Sequence, residues 1–92
     1  MAQAIVTMKI MPESPDINLE ELETKAKHEI VQFAGEGDMK TEQQPIAFGL
    51  KALQIIFVMD ESQGSTEELE KSVENIDGVN SVEITDVRRA IG

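Results

Sequence analysis

Residues 50–59 read LKALQIIFVM and form the most apolar run in the chain. Such near-continuous hydrophobicity suits a central strand with a neighbouring strand on each side. Residues 2–11 predict a second strand, because every other side chain is apolar and falls on one face. These side chains are Ala4, Val6, Met8 and Ile10. We expect the two segments to be the central strands of one sheet.

Two helices are predicted from similar start and stop signals. Asn18 can cap the first helix, Glu21 can complete the capping box, and Gly35 can end it, which gives a helix over about 18–34. Its apolar stripe has helical spacing and consists of Leu19, Leu22, Ala26, Ile30 and Phe33. In the second helix, Ser65 is predicted to cap and Glu68 to close the box. Its stripe is Leu69, Val73 and Ile76, and Asp77-Gly78 ends it.

Two further strands are predicted from shorter patterns. Ile46, Phe48 and Leu50 alternate across Gly49, which predicts a short edge strand. Pro45 supports an edge position, because proline has no N–H to donate within a central ladder. Residues 79–87 predict the fourth strand, and residues 88–92 are predicted to form a tail.

The predicted order of elements is β-α-β-β-α-β. Right-handed crossovers in this order place both helices on one face of a four-stranded antiparallel sheet. The fold class is therefore α+β, a ferredoxin-like βαββαβ sandwich. The length of 92 residues allows only one core, so residues 1–92 are expected to be a single domain.

Composition narrows the classes of function. The net charge is −10, and a charge of this sign repels the phosphates of nucleic acids and anionic membranes. It favours a basic protein partner, although solubility alone also explains it. No cysteine is present and no apolar run is long enough to span a membrane. With no secretory signal at the N-terminus, we expect a cytoplasmic protein.

No pattern of catalytic, metal-binding or cofactor-binding residues emerges. His28 has no carboxylate one helical turn away, so an exposed helix histidine is the simpler interpretation. The acidic pairs at 60–61 and 67–68 do not match a calcium loop, and the second pair suits the first turn of a helix. No phosphate-binding glycine loop is present. We expect no cofactor, no metal and no enzymatic chemistry.

Three functions found on this fold can be tested against the sequence. RNA-recognition domains need aromatic residues on the two central strands, which here offer only Phe57. Heavy-metal carriers need paired cysteines in the first loop. Acylphosphatase-like enzymes need a Gly-Arg loop after the first strand, where this chain has residues 11–16, MPESPD. The sequence supports none of the three.

Two segments stand out in a chain this acidic. Phe48 lies before a glycine at the turn into the 50–59 strand, where an aromatic side chain is more commonly part of the core. Arg88-Arg89 is the only adjacent basic pair and lies near the end of the chain. A solvated terminus is the ordinary interpretation of this pair, and an element that reaches into an anionic pocket is the other.

The sequence from 45 to 55, PIAFGLKALQI, resembles the Pro-x-x-aromatic-Gly-Ile-Lys-Lys-Leu-Gln-Ile signature of the translation elongation factor one-beta family. The likeness continues through Val58-Met59-Asp60-Glu61 into the second helix and ends in the strand around 79–84. The length and acidity resemble the archaeal form, which consists of the exchange domain alone. The resemblance covers nearly the whole chain, with weaker markers in residues 1–40.

The resemblance implies guanine nucleotide exchange on elongation factor 1-alpha, the GTPase that delivers aminoacyl-tRNA. The family's exchange element is a basic side chain, typically lysine, near the C-terminus, and by position it resembles Arg89, with Arg88 as the alternative. A guanidinium is larger and more planar than an ammonium, so this chain departs from the family pattern here. The family's aromatic partner contact resembles Phe48.

Two other functions remain open from the sequence. A ligand-sensing domain of the ACT type shares the topology but predicts glycine-rich loops after the first strand, and residues 11–18 contain no glycine. A ribosomal-type RNA-binding domain is disfavoured by the net charge.

Overall fold

The computed structural model describes residues 3–90, which form four strands, two α-helices and one short 3-10 turn. The elements are β1 (Gln3–Pro12), α1 (Leu19–Ala34), β2 (Met39–Pro45), β3 (Lys51–Asp60), the turn Glu61–Gln63, α2 (Glu67–Glu74) and β4 (Val79–Ala90). This order confirms the predicted βαββαβ ferredoxin-like fold. None of these helices is both long and apolar enough to span a bilayer, a finding confined to residues 3–90.

The strands form one antiparallel sheet in the order β2-β3-β1-β4. β1 and β3 are the central strands, as the sequence predicts, and Val6 lies opposite Phe57 in their shared ladder. One face of the sheet packs on both helices. Its buried side chains are Ala4, Val6, Met8, Ile10, Leu53, Ile55, Phe57 and Met59, with Leu22, Ala26, Ile30, Leu69 and Val73 from the helices.

The first helix begins where the sequence predicts. The side-chain oxygen of Asn18 accepts hydrogen bonds from the N–H groups of Glu20 at 2.9 Å and Glu21 at 3.3 Å. The helix ends at Gly35, which has a φ of 84° and donates its N–H to Val31. Two N–H groups that would otherwise lack a partner in the first turn are thus satisfied, which stabilises this boundary.

The second helix differs from the prediction at both ends. Its N-cap is Thr66 instead of Ser65, and the Thr66 hydroxyl donates to the Glu70 carboxylate at 3.0 Å instead of capping. Ser65 still accepts the N–H of Glu67 at 3.1 Å, so it satisfies the same helix end from one residue further out. The helix ends at Glu74, before Ile76, and the following turn reaches Gly78 at a φ of 95°.

The predicted edge strand lies earlier in the sequence than expected. β2 is the polar segment Met39–Pro45, and residues 46–50 form the turn into β3. The prediction failed because it followed apolar alternation. An edge strand with one paired neighbour needs few apolar side chains, and its remaining polar groups can face water.

The last strand is longer than predicted. β4 continues to Ala90, so Arg88 and Arg89 belong to the sheet. The prediction of a tail is therefore wrong for residues 88–90. Residues 91 and 92 lie outside the described part of the chain. β4 carries two extra residues relative to β1: Thr85 lies unpaired between Ile84 and Asp86, and Asn80 between Val79 and Ser81. Each is a β-bulge, which changes the face on which the following side chains lie.

One polar atom in the packed region allows a stability prediction. Among the described residues, the Thr41 hydroxyl is buried without a hydrogen-bond partner. Replacing Thr41 with valine keeps the shape and removes the unsatisfied group, so we expect a gain of roughly 1 kcal/mol in unfolding free energy by thermal denaturation. Thr24→Val is the matched control, because the Thr24 hydroxyl donates to the Glu20 carbonyl at 3.0 Å. Equal effects of the two substitutions would contradict the prediction.

Candidate functional site

The two segments that stand out in the sequence lie at opposite ends of the sheet. Phe48 lies in the turn before β3, and Arg88 and Arg89 lie near the end of β4, which runs alongside the first residues of β1. β1 in turn pairs Gln3 with Asp60, the last residue of β3. The length of β3, about 30 Å at ~3.3 Å per residue, therefore separates them. A partner that contacts both must extend along the whole sheet.

Phe48 projects from a tight turn. The Leu50 N–H donates to the Ala47 carbonyl at 2.9 Å, and Phe48 and Gly49 between them have φ angles of 54° and 78°. Positive φ at both central residues is the pattern of a type I′ turn. A phenylalanine in this region costs roughly 1–2 kcal/mol relative to ordinary backbone. Its side chain is 95% exposed, so the core position considered from the sequence is wrong.

A groove lies beside the Phe48 turn. It has a volume of about 530 Å³ and lies between the β1–α1 connection and the start of β3, with Pro15, Gln43, Gly49 and Lys51 among its lining residues. A side chain at Gly49 would contact the Pro15 ring at 3.8 Å. The turn that carries Phe48 is thus backed by a second loop.

Arg88 and Arg89 point to opposite faces of the sheet. Arg89 lies opposite Ala4, which is buried on the helix side, and Arg88 lies opposite Ile5, which is 36% exposed on the helix-free side. Residues directly opposite each other in antiparallel strands share a face. The bulge at Thr85 sets this assignment, because it moves every later residue of β4 by one position relative to β1.

Arg89 is held by a carboxylate from another element. Its guanidinium donates two hydrogen bonds to Glu61, at 2.8 Å from Nε and 3.0 Å from Nη2. Glu61 begins the turn after β3. The hydrogen bonds from Arg89 lower the pKa of Glu61 below its usual value of 4.5, and the same bonds raise the pKa of Arg89. Both side chains border a cavity of about 530 Å³ at this end of the sheet.

The lowered pKa of Glu61 gives a pH prediction. The ion pair is intact above the ordinary glutamate pKa of 4.5, and it is lost as the pH falls through the lower value in the folded chain. We expect the Glu61 carboxyl to titrate below 4.5 by NMR and to return towards 4.5 in the Arg89→Gln variant. A midpoint at or above 4.5 in the unmodified chain would show that the pair does not form in solution.

Arg88 has a weaker partner. Its Nε donates to Asp86 at 2.8 Å, two residues away on the same strand and the same face. The Arg88 side chain is 77% exposed. Arg89 is itself 69% exposed, so exposure does not separate the two arginines. The single contact of Arg88 within its own strand holds the side chain more loosely than the two bonds from Glu61 hold Arg89.

The remaining candidates from the sequence do not gather into a site. His28 is exposed and shares a 2.9 Å hydrogen bond with Gln32. Across residues 3–90, no three side chains of the histidine and acidic types come together as metal ligands would. The sequence did not predict the contact between Glu61 and Arg89. Glu61 lies in a turn between two elements, and nothing in the local sequence indicates which residue it pairs with. The bulge did leave a signal, because the apolar positions 79, 82, 84 and 87 break strict alternation.

The sequence matches known proteins over nearly its full length. The family model of the EF-1 guanine nucleotide exchange domain matches residues 5–90. Proteins named elongation factor 1-beta are similar to it: 45% identical in Methanothermobacter thermautotrophicus, covering 97% of this chain and 98% of the relative, and 46% in Methanobrevibacter smithii, with the same coverage. The protein of that name in Staphylothermus marinus is 42% identical, again over 97% and 98%. The chain belongs to the EF-1 guanine nucleotide exchange domain family.

Proposed function

We propose that this protein promotes GDP release from the translation elongation GTPase, elongation factor 1-alpha, so that GTP can rebind. The match of residues 5–90 to an exchange domain carries the proposal. The geometry supports it with two projecting elements: an exposed phenylalanine at one end of the sheet and an arginine pair at the other. No covalent step by this chain is needed for exchange.

In the proposed mechanism, a basic side chain near the C-terminus, Arg88 or Arg89, enters beside the magnesium and phosphate site of the GTPase. GDP is held there through magnesium and backbone N–H groups. A cation that replaces the magnesium contacts makes the nucleotide leave more readily. Phe48 binds the GTPase about 30 Å away, at the other end of the sheet, and contributes affinity.

The distribution of charge supports an approach through the strands. The two helices carry eight acidic and three basic side chains, whereas the four strands carry four acidic and five basic ones. The basic residues of the strands are Lys9, Lys40, Lys51, Arg88 and Arg89. A phosphate site repels the helix layer and tolerates the nearly neutral sheet. The net charge of −10 therefore does not prevent the arginine end from approaching a bound nucleotide.

The proposal requires a reciprocal effect on binding. If this protein weakens GDP binding, GDP must weaken the binding of this protein by the same factor. A coupling of ~3 kcal/mol corresponds to about 150-fold. We expect isothermal titration calorimetry to show tighter binding to nucleotide-free elongation factor 1-alpha than to the GDP complex with magnesium, by at least about tenfold.

A variant on the helix layer provides the control for that titration. Lys27→Ala removes a basic side chain that pairs with Glu23 at 2.9 Å on α1, away from both projecting elements. It should bind both nucleotide states as the unmodified protein does. Equal affinity of the unmodified protein for the two states would refute exchange by this mechanism.

A further inference from the structure

We propose that Glu61 and Arg89 form a clamp that fixes the end of β4, and that Arg88 is the arginine that this end presents to the GTPase. The inference rests on the exchange function proposed above and deepens it. It assigns different roles to two adjacent residues of the same type and adds Glu61 as a positioning residue.

The two arginines differ first in their position on the sheet. The bulge at Thr85 places Arg89 on the helix side, where it contacts Glu61 in the turn after β3. It places Arg88 on the helix-free side, opposite Ile5. Only Arg88 therefore lies on the sheet face that a partner can approach without meeting the acidic helix layer.

They differ also in what they already bind. Arg89 engages both carboxylate oxygens of Glu61, a residue 28 positions away in the sequence. A bidentate pair of this kind fixes the plane of the guanidinium as well as its position. Arg89 would have to give up both hydrogen bonds to enter a partner's pocket. Arg88 would give up one contact, with Asp86 on its own strand.

The position of β4 explains why a clamp is needed. Within residues 3–90, β4 is an edge strand that pairs only with β1, and its last segment follows the Thr85 bulge, which interrupts the ladder. Strand ends with one neighbour open readily. Glu61 is anchored by its position directly after β3, a central strand, so its bond to Arg89 ties the end of β4 to the middle of the sheet. The direction in which Arg88 points then depends on that tie.

A variant in which the two charges of the clamp are swapped distinguishes a clamp role of Arg89 from its direct insertion into the GTPase. Glu61→Arg combined with Arg89→Glu restores an ion pair but leaves no arginine at position 89. If Arg89 acts only through the clamp, Glu61→Gln and Arg89→Ala should each slow GDP release from elongation factor 1-alpha several-fold, by about the same factor. The double exchange should restore most of the rate, because the effects of the two residues are coupled.

Arg88 is tested in parallel. Arg88→Ala should lower the maximal rate of GDP release at least about tenfold, which corresponds to about 1.4 kcal/mol in the barrier, with an unchanged melting temperature. Arg88→Lys should retain most of the rate, because it keeps the charge. The matched control is Lys40→Ala, which removes another exposed basic side chain of the sheet, paired with Glu42 at 3.7 Å. It should change neither the rate of GDP release nor the melting temperature.

Hydrogen exchange of the β4 amides adds a readout that does not depend on activity. Alternate N–H groups of an edge strand donate to its neighbour, so the amides of residues 87–89 that donate to β1 are the ones that report on the clamp. These amides should exchange faster in Glu61→Gln and return to their original rate in the variant with both charges swapped. The inference is overturned if the variant with Glu61→Arg and Arg89→Glu promotes GDP release slowly although its β4 amides exchange as in the unmodified protein. It is also overturned if Arg88→Ala promotes GDP release at the full rate. If the unmodified protein does not accelerate GDP release, the proposed function fails instead.

Discussion

Replacing Phe57 with alanine is expected to remove much of the stability of this protein. Phe57 is 1% exposed in the centre of the core, where it lies opposite Val6 in β1 and Met39 in β2. Removal of a buried phenylalanine ring costs about 3–5 kcal/mol, from lost burial and from the cavity left behind. A domain of this size has a total stability of only about 5–14 kcal/mol, at 0.05–0.15 kcal/mol per residue. Urea denaturation followed by circular dichroism measures the loss.

Phe48→Ala is the matched control, because it removes the same atoms from a side chain that is 95% exposed. We expect it to change the unfolding free energy by no more than about 0.5 kcal/mol, as is usual for surface positions. Comparable losses from the two substitutions would mean that Phe48 is packed in solution, which would contradict its exposed position in the turn.

The same exposed ring is expected to contribute a large part of the binding to the GTPase. Aromatic side chains that fill a partner's pocket commonly contribute about 2 kcal/mol or more, so Phe48→Ala should weaken binding roughly 30-fold or more. Phe48→Gly should weaken it at least as much. It should also raise the unfolding free energy by about 1 kcal/mol, because glycine adopts a φ of 54° without strain. Calorimetric titration and thermal denaturation of the same samples test both statements.

Ile46→Ala serves as the control for binding, since Ile46 is a second large apolar side chain at the same turn and is 46% exposed. It should weaken binding much less than Phe48→Ala does. If Phe48→Gly binds the GTPase as tightly as the unmodified protein, Phe48 does not contribute to the interface. A loss of stability in that variant would show that the left-handed backbone at Phe48 is not strained.

The sequence predicted the fold well where a pattern reflects burial. LKALQIIFVM is apolar because β3 is a central strand whose alternate side chains lie in the core. Asn18 lies just before an apolar stripe of helical spacing, where its side chain caps the helix. β2 was misplaced for the opposite reason. Its side chains are mostly polar, since an edge strand owes its place to hydrogen bonds with β3 more than to packing.

The candidate site could be predicted only in part. Phe48 and the arginine pair stood out in the sequence itself, and the resemblance added their roles. Their separation along the sheet depends on the strand register, which the sequence does not show. The clamp depends on two residues far apart in sequence, Glu61 and Arg89, and no local pattern joins them. The Thr85 bulge determines which arginine faces the helix-free side. The break in alternation at 84–87 indicates a bulge there. It does not show which side chains the residues after the bulge contact.

The rate at which GDP leaves the GTPase tests the proposed exchange function. Elongation factor 1-alpha is loaded with a fluorescent GDP analogue and mixed with excess unlabelled GDP in a stopped-flow instrument, with and without this protein at substoichiometric concentration. We expect release at least about tenfold faster, which corresponds to a barrier lower by about 1.4 kcal/mol, with each exchange factor molecule acting on several GTPase molecules. Phe48→Ala should need a much higher concentration to reach the same rate. A release rate that stays at the intrinsic value, even at saturating concentrations of this protein, would refute the exchange function.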